Sequence, residues 1–184
     1  MAARFQGFTL VELMVALAIF AFLLMLVGPM YGQFIANHQV RNATDAMLNG
    51  VQQAQGAAVR SNSLARLLID TTTGTGGWQV FQIDPATGNE AGAAAQVYTV
   101  KDGAPAATFT TIPGDARQVT FDGFGRIVAN ADATATLTCI KVTHPNASRP
   151  LNVAISSTGL GVATKLCDPA VAAGDPSACP AGCQ

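Results

Sequence analysis

The sequence predicts an α+β protein, with one long N-terminal helix followed by an antiparallel β-sheet domain. Three observations predict it. An unbroken apolar run stands near the start of the chain, and an amphipathic helical stretch continues it. From residue 63 the texture changes to short β-rich segments separated by turn residues.

The apolar run spans residues 13–30, LMVALAIFAFLLMLVGPM, without a charged or hydrogen-bonding side chain. Its 18 residues would rise ~27 Å as a helix, close to the ~30 Å hydrocarbon layer of a bilayer. Glu12 stands at its N-terminal edge, and Arg4 is the one charge before it. An ordinary secretory signal fits poorly. The apolar run is long for one, Glu12 interrupts its start, and Val27-Gly28-Pro29 is followed by bulky Met30 and Tyr31. Thr9-x-x-Glu12 reads as a capping box, and a first-turn carboxylate also suits the helix dipole.

Pro29 is expected to kink the helix, because it lacks a backbone donor and its ring crowds the preceding turn. Beyond it, residues 32–61 keep helical periodicity but become amphipathic. Phe34 or Ile35, Val40, Met47, Val51, Ala54 and Ala58 recur on one face, with Asn37, Gln39, Arg41, Asp45, Gln52 and Gln55 on the other. Small, irregular apolar residues favour packing on the chain's own domain over a coiled-coil seam. A continuous helix from residue 8 to about 60 would be ~80 Å long.

Strands are expected at 64–70, 77–84, 96–101, 117–122, 126–129, 135–143, 151–156 and 161–166. Each is short, β-branched or aromatic, and bounded by Gly, Pro, Asp or Asn. The Ala/Gly-rich loops 85–95 and 102–107 read as mobile. The resulting division is 1–7, 8–31, 32–62 and 63–184, the last a β-rich domain with an irregular C-terminal tail.

Composition excludes several classes of function. With 11% charged residues and a net charge of −1, the chain has no basic block suited to phosphate backbones. Cys139, Cys167, Cys179 and Cys183 all lie in the last quarter. Their even number beyond a membrane-targeting segment favours two disulfides in an oxidising compartment over metal binding, and no CxxC pair is present. If the strands bearing Cys139 and Cys167 run side by side, the bridges are Cys139–Cys167 and Cys179–Cys183. Cys167–Cys179 with Cys139–Cys183 is the rival pairing.

Gly74-Thr75-Gly76-Gly77 lacks the following Lys-Ser or Lys-Thr of a phosphate loop. His144 precedes Pro145 in a loop without a recognisable nucleophile, and His38 falls on the polar helix face. No paired carboxylates, metal spacing or nucleotide fingerprint stands out. Neither an enzyme nor a cofactor is expected.

Gly7-Phe8-Thr9-Leu10-Val11-Glu12 closely resembles the prepilin peptidase site of type IV pilins and type II secretion pseudopilins. Val119-Thr120-Phe121-Asp122-Gly123-Phe124-Gly125-Arg126 and Asn152-Val153-Ala154-Ile155-Ser156-Ser157-Thr158-Gly159 resemble two signatures of the GspH/FimT (FimU-like) group of minor pilins and pseudopilins. The resemblance implies cleavage after Gly7, methylation of the new amine on Phe8, and a Glu12 carboxylate that pairs with a neighbouring subunit's N-terminus. It also implies a single-pass inner-membrane protein with a periplasmic domain, later moved into a filament. Its partners would be prepilin peptidase, major and minor pilins and the inner-membrane assembly platform.

Within that group the type IV pilus, in a priming or tip position, is favoured over the type II secretion pseudopilus. An adhesin or DNA receptor displaying loops 85–95 and 102–107 is a third reading. Some members bind DNA through a Gly-Arg-x-Arg turn, but here the matching positions read Gly159-Leu160-Gly161-Val162. Nucleic-acid binding is therefore not expected, and Arg126, Lys141, Arg149 and Lys165 read as scattered solvated charges.

Overall fold

A computed structural model describes residues 7–158 and 161–184. The spine is helix α1 (Leu10–Ser61), 52 residues long, or about 78 Å at the helical rise. Its Leu10–Met25 and Met30–Ser61 portions meet at a 40° bend. Pro29 lies in the segment between them, where a bend is expected. At the far end Asn62 adopts the left-handed conformation (φ 47°, ψ 42°), and the Asn62 and Ser63 amides return to the Val59 and Ala58 carbonyls. This closes the helix as a short polar residue can.

The two halves of α1 differ in burial. As far as Ile35 the described side chains are exposed. From Ala36 one face is closed off, with Val40, Ala43, Met47, Val51, Ala54 and Ala58 at 0% exposure, at the spacing of a helical stripe. Phe34 and Ile35, which the periodicity also placed on that stripe, stay outside the core.

Among the described residues nine strands follow: β1 (Leu64–Asp70), β2 (Gly77–Ile83), β3 (Gln96–Thr99), β4 (Thr108–Ile112), β5 (Gln118–Phe121), β6 (Ile127–Val128), β7 (Cys139–Thr143), β8 (Leu151–Thr158) and β9 (Gly161–Cys167). They form two sheets, in the orders β3-β2-β1-β5-β6 and β4-β7-β8-β9, and every strand pairing is antiparallel. The buried half of α1 packs on both sheets. Strand β4 was not expected. Its sequence, Thr-Phe-Thr-Thr-Ile, has strand character and pairs with β7 along its whole length.

Two glycines let the helix and sheets approach closely. A Cβ on Gly50 would lie 2.8 Å from the Trp78 ring, whose Nε1–H donates to the Ala46 carbonyl at 2.8 Å. Gly125 has φ +75°, and a Cβ there would stand 3.2 Å from both Gln55 and Val59. Gln55 Nε2 also donates to the Gly125 carbonyl at 3.0 Å. The Asp122-Gly123-Phe124-Gly125-Arg126 turn is thereby fastened to the last turns of α1. The Asp122 carboxylate accepts from the Phe124 and Arg126 amides and pairs with the Arg126 guanidinium. Partial desolvation would raise its pKa, but the bonds from Arg126 and Phe124 outweigh that and hold it below the ordinary value.

The loops expected to be mobile are tied down. Arg66 Nη2 donates to the Gly88 carbonyl, and the Ala91 and Ala95 amides donate to the Gln82 and Val80 carbonyls. Loop 102–107 sends Ala104 and Ala107 into the core.

The disulfides join Cys139 to Cys183 and Cys167 to Cys179, so the expected Cys139–Cys167 and Cys179–Cys183 bridges are not the ones formed. The reason lies in the register. Strand β8 runs between β7 and β9, with Ala154 opposite Cys139 and Asn152 opposite Cys167. Two strand spacings separate the two cysteines, about 10 Å, beyond the reach of a disulfide. The C-terminal tail supplies both partners instead. It is held further by Asn152 Nδ2, which donates to the Cys183 carbonyl at 2.6 Å, and by Lys141 Nζ, which donates to the Gln184 oxygen at 2.6 Å.

Peptide mapping of the unreduced full chain is expected to recover Cys139–Cys183 and Cys167–Cys179. Cys139→Ser/Cys183→Ser, which opens the 44-residue loop, is expected to lower unfolding stability by about 4 kcal/mol. Cys167→Ser/Cys179→Ser, opening 12 residues, should cost about 3 kcal/mol in the same denaturant titration.

Candidate functional site

The candidate processing and assembly site is the start of α1. Gly7 and Phe8 lie outside regular structure and are exposed, and a Cβ on Gly7 would meet nothing within 4 Å. The peptide bond between them is therefore open to an approaching enzyme. Residues 1–6 of the expected leader, including Arg4, lie outside the described residues.

Thr9 caps the helix. Its backbone is extended (φ −80°, ψ 151°), its hydroxyl accepts from the Glu12 amide at 3.2 Å, and its carbonyl accepts from the Leu13 amide at 3.1 Å. The hydroxyl satisfies one of the four amides that a helix start leaves unpaired, and the carbonyl accepts the first intrahelical bond. The return arm of the expected capping box, from the Glu12 carboxylate to the Thr9 amide, is not formed. Among the described residues the Glu12 carboxylate has no hydrogen bond and no ion pair. It stands exposed at the head of a helix whose next large apolar side chains are also exposed, from Leu13 at 55% to Met25 at 84%. Among the described residues no single helix is long and apolar enough to cross a membrane, but the bent pair Leu10–Met25 and Met30–Ser61 passes by length and composition.

The remaining candidate residues have local partners. Arg126 pairs with Asp122, Arg149 faces Asp168, and Lys141 and Lys165 donate to the Gln184 and Ala178 oxygens. Each of the four cations thus has a partner of its own. Gly159 and Leu160, where the DNA-binding turn of related proteins would fall, lie outside the described residues. His144 Nδ1 accepts from the Asn146 amide in its own turn, and exposed His38 meets the Phe34 ring edge-on. The sulfurs of Cys167, Cys179 and Cys183 lie within 4.8 Å of one another, but all four cysteines are joined in disulfides.

One grouping gave no signal in the sequence. Asn37 on α1 bonds twice to Ser148, through Nδ2 to Oγ at 3.1 Å and through Oδ1 from the Ser148 amide at 3.0 Å. This clamp brings Arg149 to the side of the helix that carries Arg41, 108 residues away in sequence.

A family model described as Type II transport protein GspH matches residues 43–159, more than half of the chain. A second, described as a prokaryotic N-terminal methylation motif, matches residues 3–28. Among solved structures, the Pseudomonas aeruginosa PAO1 type IV minor pilin FimU aligns with a TM-score of 0.46 and 16% identity. That alignment covers 72% of this chain and 92% of FimU. No curated protein sequence matches. The methylation motif implies prepilin peptidase processing and pilin partners, and with the exposed apolar helix it indicates membrane anchoring.

Thr9→Ala is expected to destabilise the helix start by about 1 kcal/mol. Hydrogen exchange at the Glu12 and Leu13 amides of the full chain should accelerate about fivefold, while exchange within the β domain stays unchanged.

Proposed function

The chain belongs to the GspH family, whose members are structural subunits of type IV pili or type II secretion pseudopili, and from that premise we propose that it is a minor pilin of a type IV pilus. In this reading prepilin peptidase cuts after Gly7 and methylates the Phe8 amine. The apolar half of α1 holds the subunit in the inner membrane with its β domain in the periplasm. The assembly platform then transfers it into the filament, in a priming or tip position.

The observation that carries the reading is the division of α1. Its second half packs into the core of the β domain, whereas the described side chains of its first half are exposed. Only lipid or other helices can cover an apolar surface of that length. Glu12 then meets two environments. A carboxylate in the apolar layer costs on the order of 3 kcal/mol and needs a partner. In the filament the Phe8 amine of a neighbouring subunit supplies one. A pseudopilus of type II secretion is the second reading, favoured by the description of the matching family model.

Intact-mass analysis of the protein recovered from host membranes is expected to find a chain that starts at methylated Phe8. A chain starting near Tyr31 would overturn the proposal. Glu12→Ala should be cleaved normally yet reach sheared filaments about tenfold less, the equivalent of one charge-assisted hydrogen bond. Unimpaired incorporation would refute the assembly role. Deletion of the gene is expected to abolish twitching; loss of exoprotein secretion with twitching intact would select the pseudopilus.

A further inference from the structure

We propose that the groove between α1 and the β7–β8 loop holds the headgroup of an anionic phospholipid while the subunit waits in the membrane. This rests on the membrane-anchored reading above. The groove is an open cavity of about 330 Å³ lined by Phe34, Asn37, His38, Arg41, Arg149 and Asp168, among others. Arg41 is exposed and has neither a hydrogen bond nor an ion pair among the described residues. Arg149 is 75% exposed and reaches Asp168 only at 3.9 Å. The Asp168 Oδ1 is engaged by the Ala170 amide. The Asn37–Ser148 clamp fixes the loop that carries Arg149 against the helix, so the chain positions of Arg149 and Arg41 are set side by side before any ligand arrives. Two guanidinium forks suit a phosphodiester, and their charge outweighs the repulsion from the single Asp168 carboxylate.

The place of the groove along the helix decides between a lipid and any other anion. With Glu12 at one edge of a ~30 Å hydrocarbon layer, about 20 helical residues bring the opposite edge near Gly32. The headgroup layer adds ~5–7 Å, to about residue 36. Tyr31 and Phe34 are exposed at that level, where aromatic side chains favour the interface. Arg41 starts about one and a half turns higher. Helical side chains tilt toward the N-terminus, here toward the bilayer, and a long cation extends back to the phosphates. Basic side chains at this depth attract anionic headgroups.

The test uses the full chain in detergent micelles, with added phosphatidylglycerol or phosphatidylcholine and native mass spectrometry as the readout. Phosphatidylglycerol is expected to be retained preferentially. Arg41→Gln/Arg149→Gln should weaken that retention by about 30-fold, and each single variant by about fivefold. Lys101→Gln, remote from the groove, should change nothing. Equal retention of the two lipids, or a double variant that retains phosphatidylglycerol normally, overturns the proposal. So does displacement by inorganic phosphate at equal concentration, which would assign the groove to a free anion. Co-flotation of the same chain with phosphatidylcholine vesicles reads the anchor separately. If the chain floats but shows no headgroup preference, only this proposal fails; if it does not float, the anchored reading fails with it.

Discussion

The contact between one face of α1 and the two sheets is the constraint on which the rest of the molecule depends. Residues 40–58 present a stripe dominated by Ala and Val around Met47. Small side chains bring the helix axis close to both sheets, and Gly50 lets the Trp78 ring lie directly on the backbone. The α1 stripe and the inward residues of both sheets, such as Leu67, Val119, Ile140 and Val153, belong to one buried cluster. Neither sheet would keep its inner face covered without the helix, and the helix would have no fixed direction without both sheets. The exposed half of α1 departs from that direction by the 40° bend between Met25 and Met30.

Most of this was legible because the signals are local. The shift from helical to strand periodicity at residue 63 matches the Asn62 cap and the start of β1 at Leu64. Strand β1 itself occupies the expected 64–70. Features that depend on sequence-distant partners were not legible. Thr108–Ile112 has strand character in its residues, but it becomes an edge strand only because β7 offers it a partner. The loop at 85–95 looks free from its Ala/Gly content, yet Arg66 reaches across from β1 to hold it. The cysteine pairing failed for the same reason. Adjacency of β7 and β9 in the sheet was assumed, whereas strand order places β8 between them.

The candidate site divides along the same line. Thr9 as the helix cap could be read from four residues, and the structure forms its hydroxyl bond to the Glu12 amide. The return bond from the Glu12 carboxylate could not be foreseen to be absent. Its absence leaves the carboxylate exposed and free to meet a partner outside the chain. The approach of Arg149 to Arg41 had no sequence signature, since it depends on Asn37 meeting Ser148 across 111 positions.

In the proposed filament these features act together. Transfer of the apolar helix from lipid into a helical core gains little from hydrophobicity, because lipid tails are as apolar as the side chains that replace them. Close packing and a few polar contacts must then decide register. Glu12 is suited to that part because it is the single ionisable group in the first three turns of α1. At the other end the Asp122–Arg126 turn is welded to α1 through Gln55 and Gly125. Displacement of the helix is thereby carried to the β domain as a unit. A subunit built this way would report the position of its N-terminus at the surface of its β domain, and the proposed headgroup groove would lie between the two.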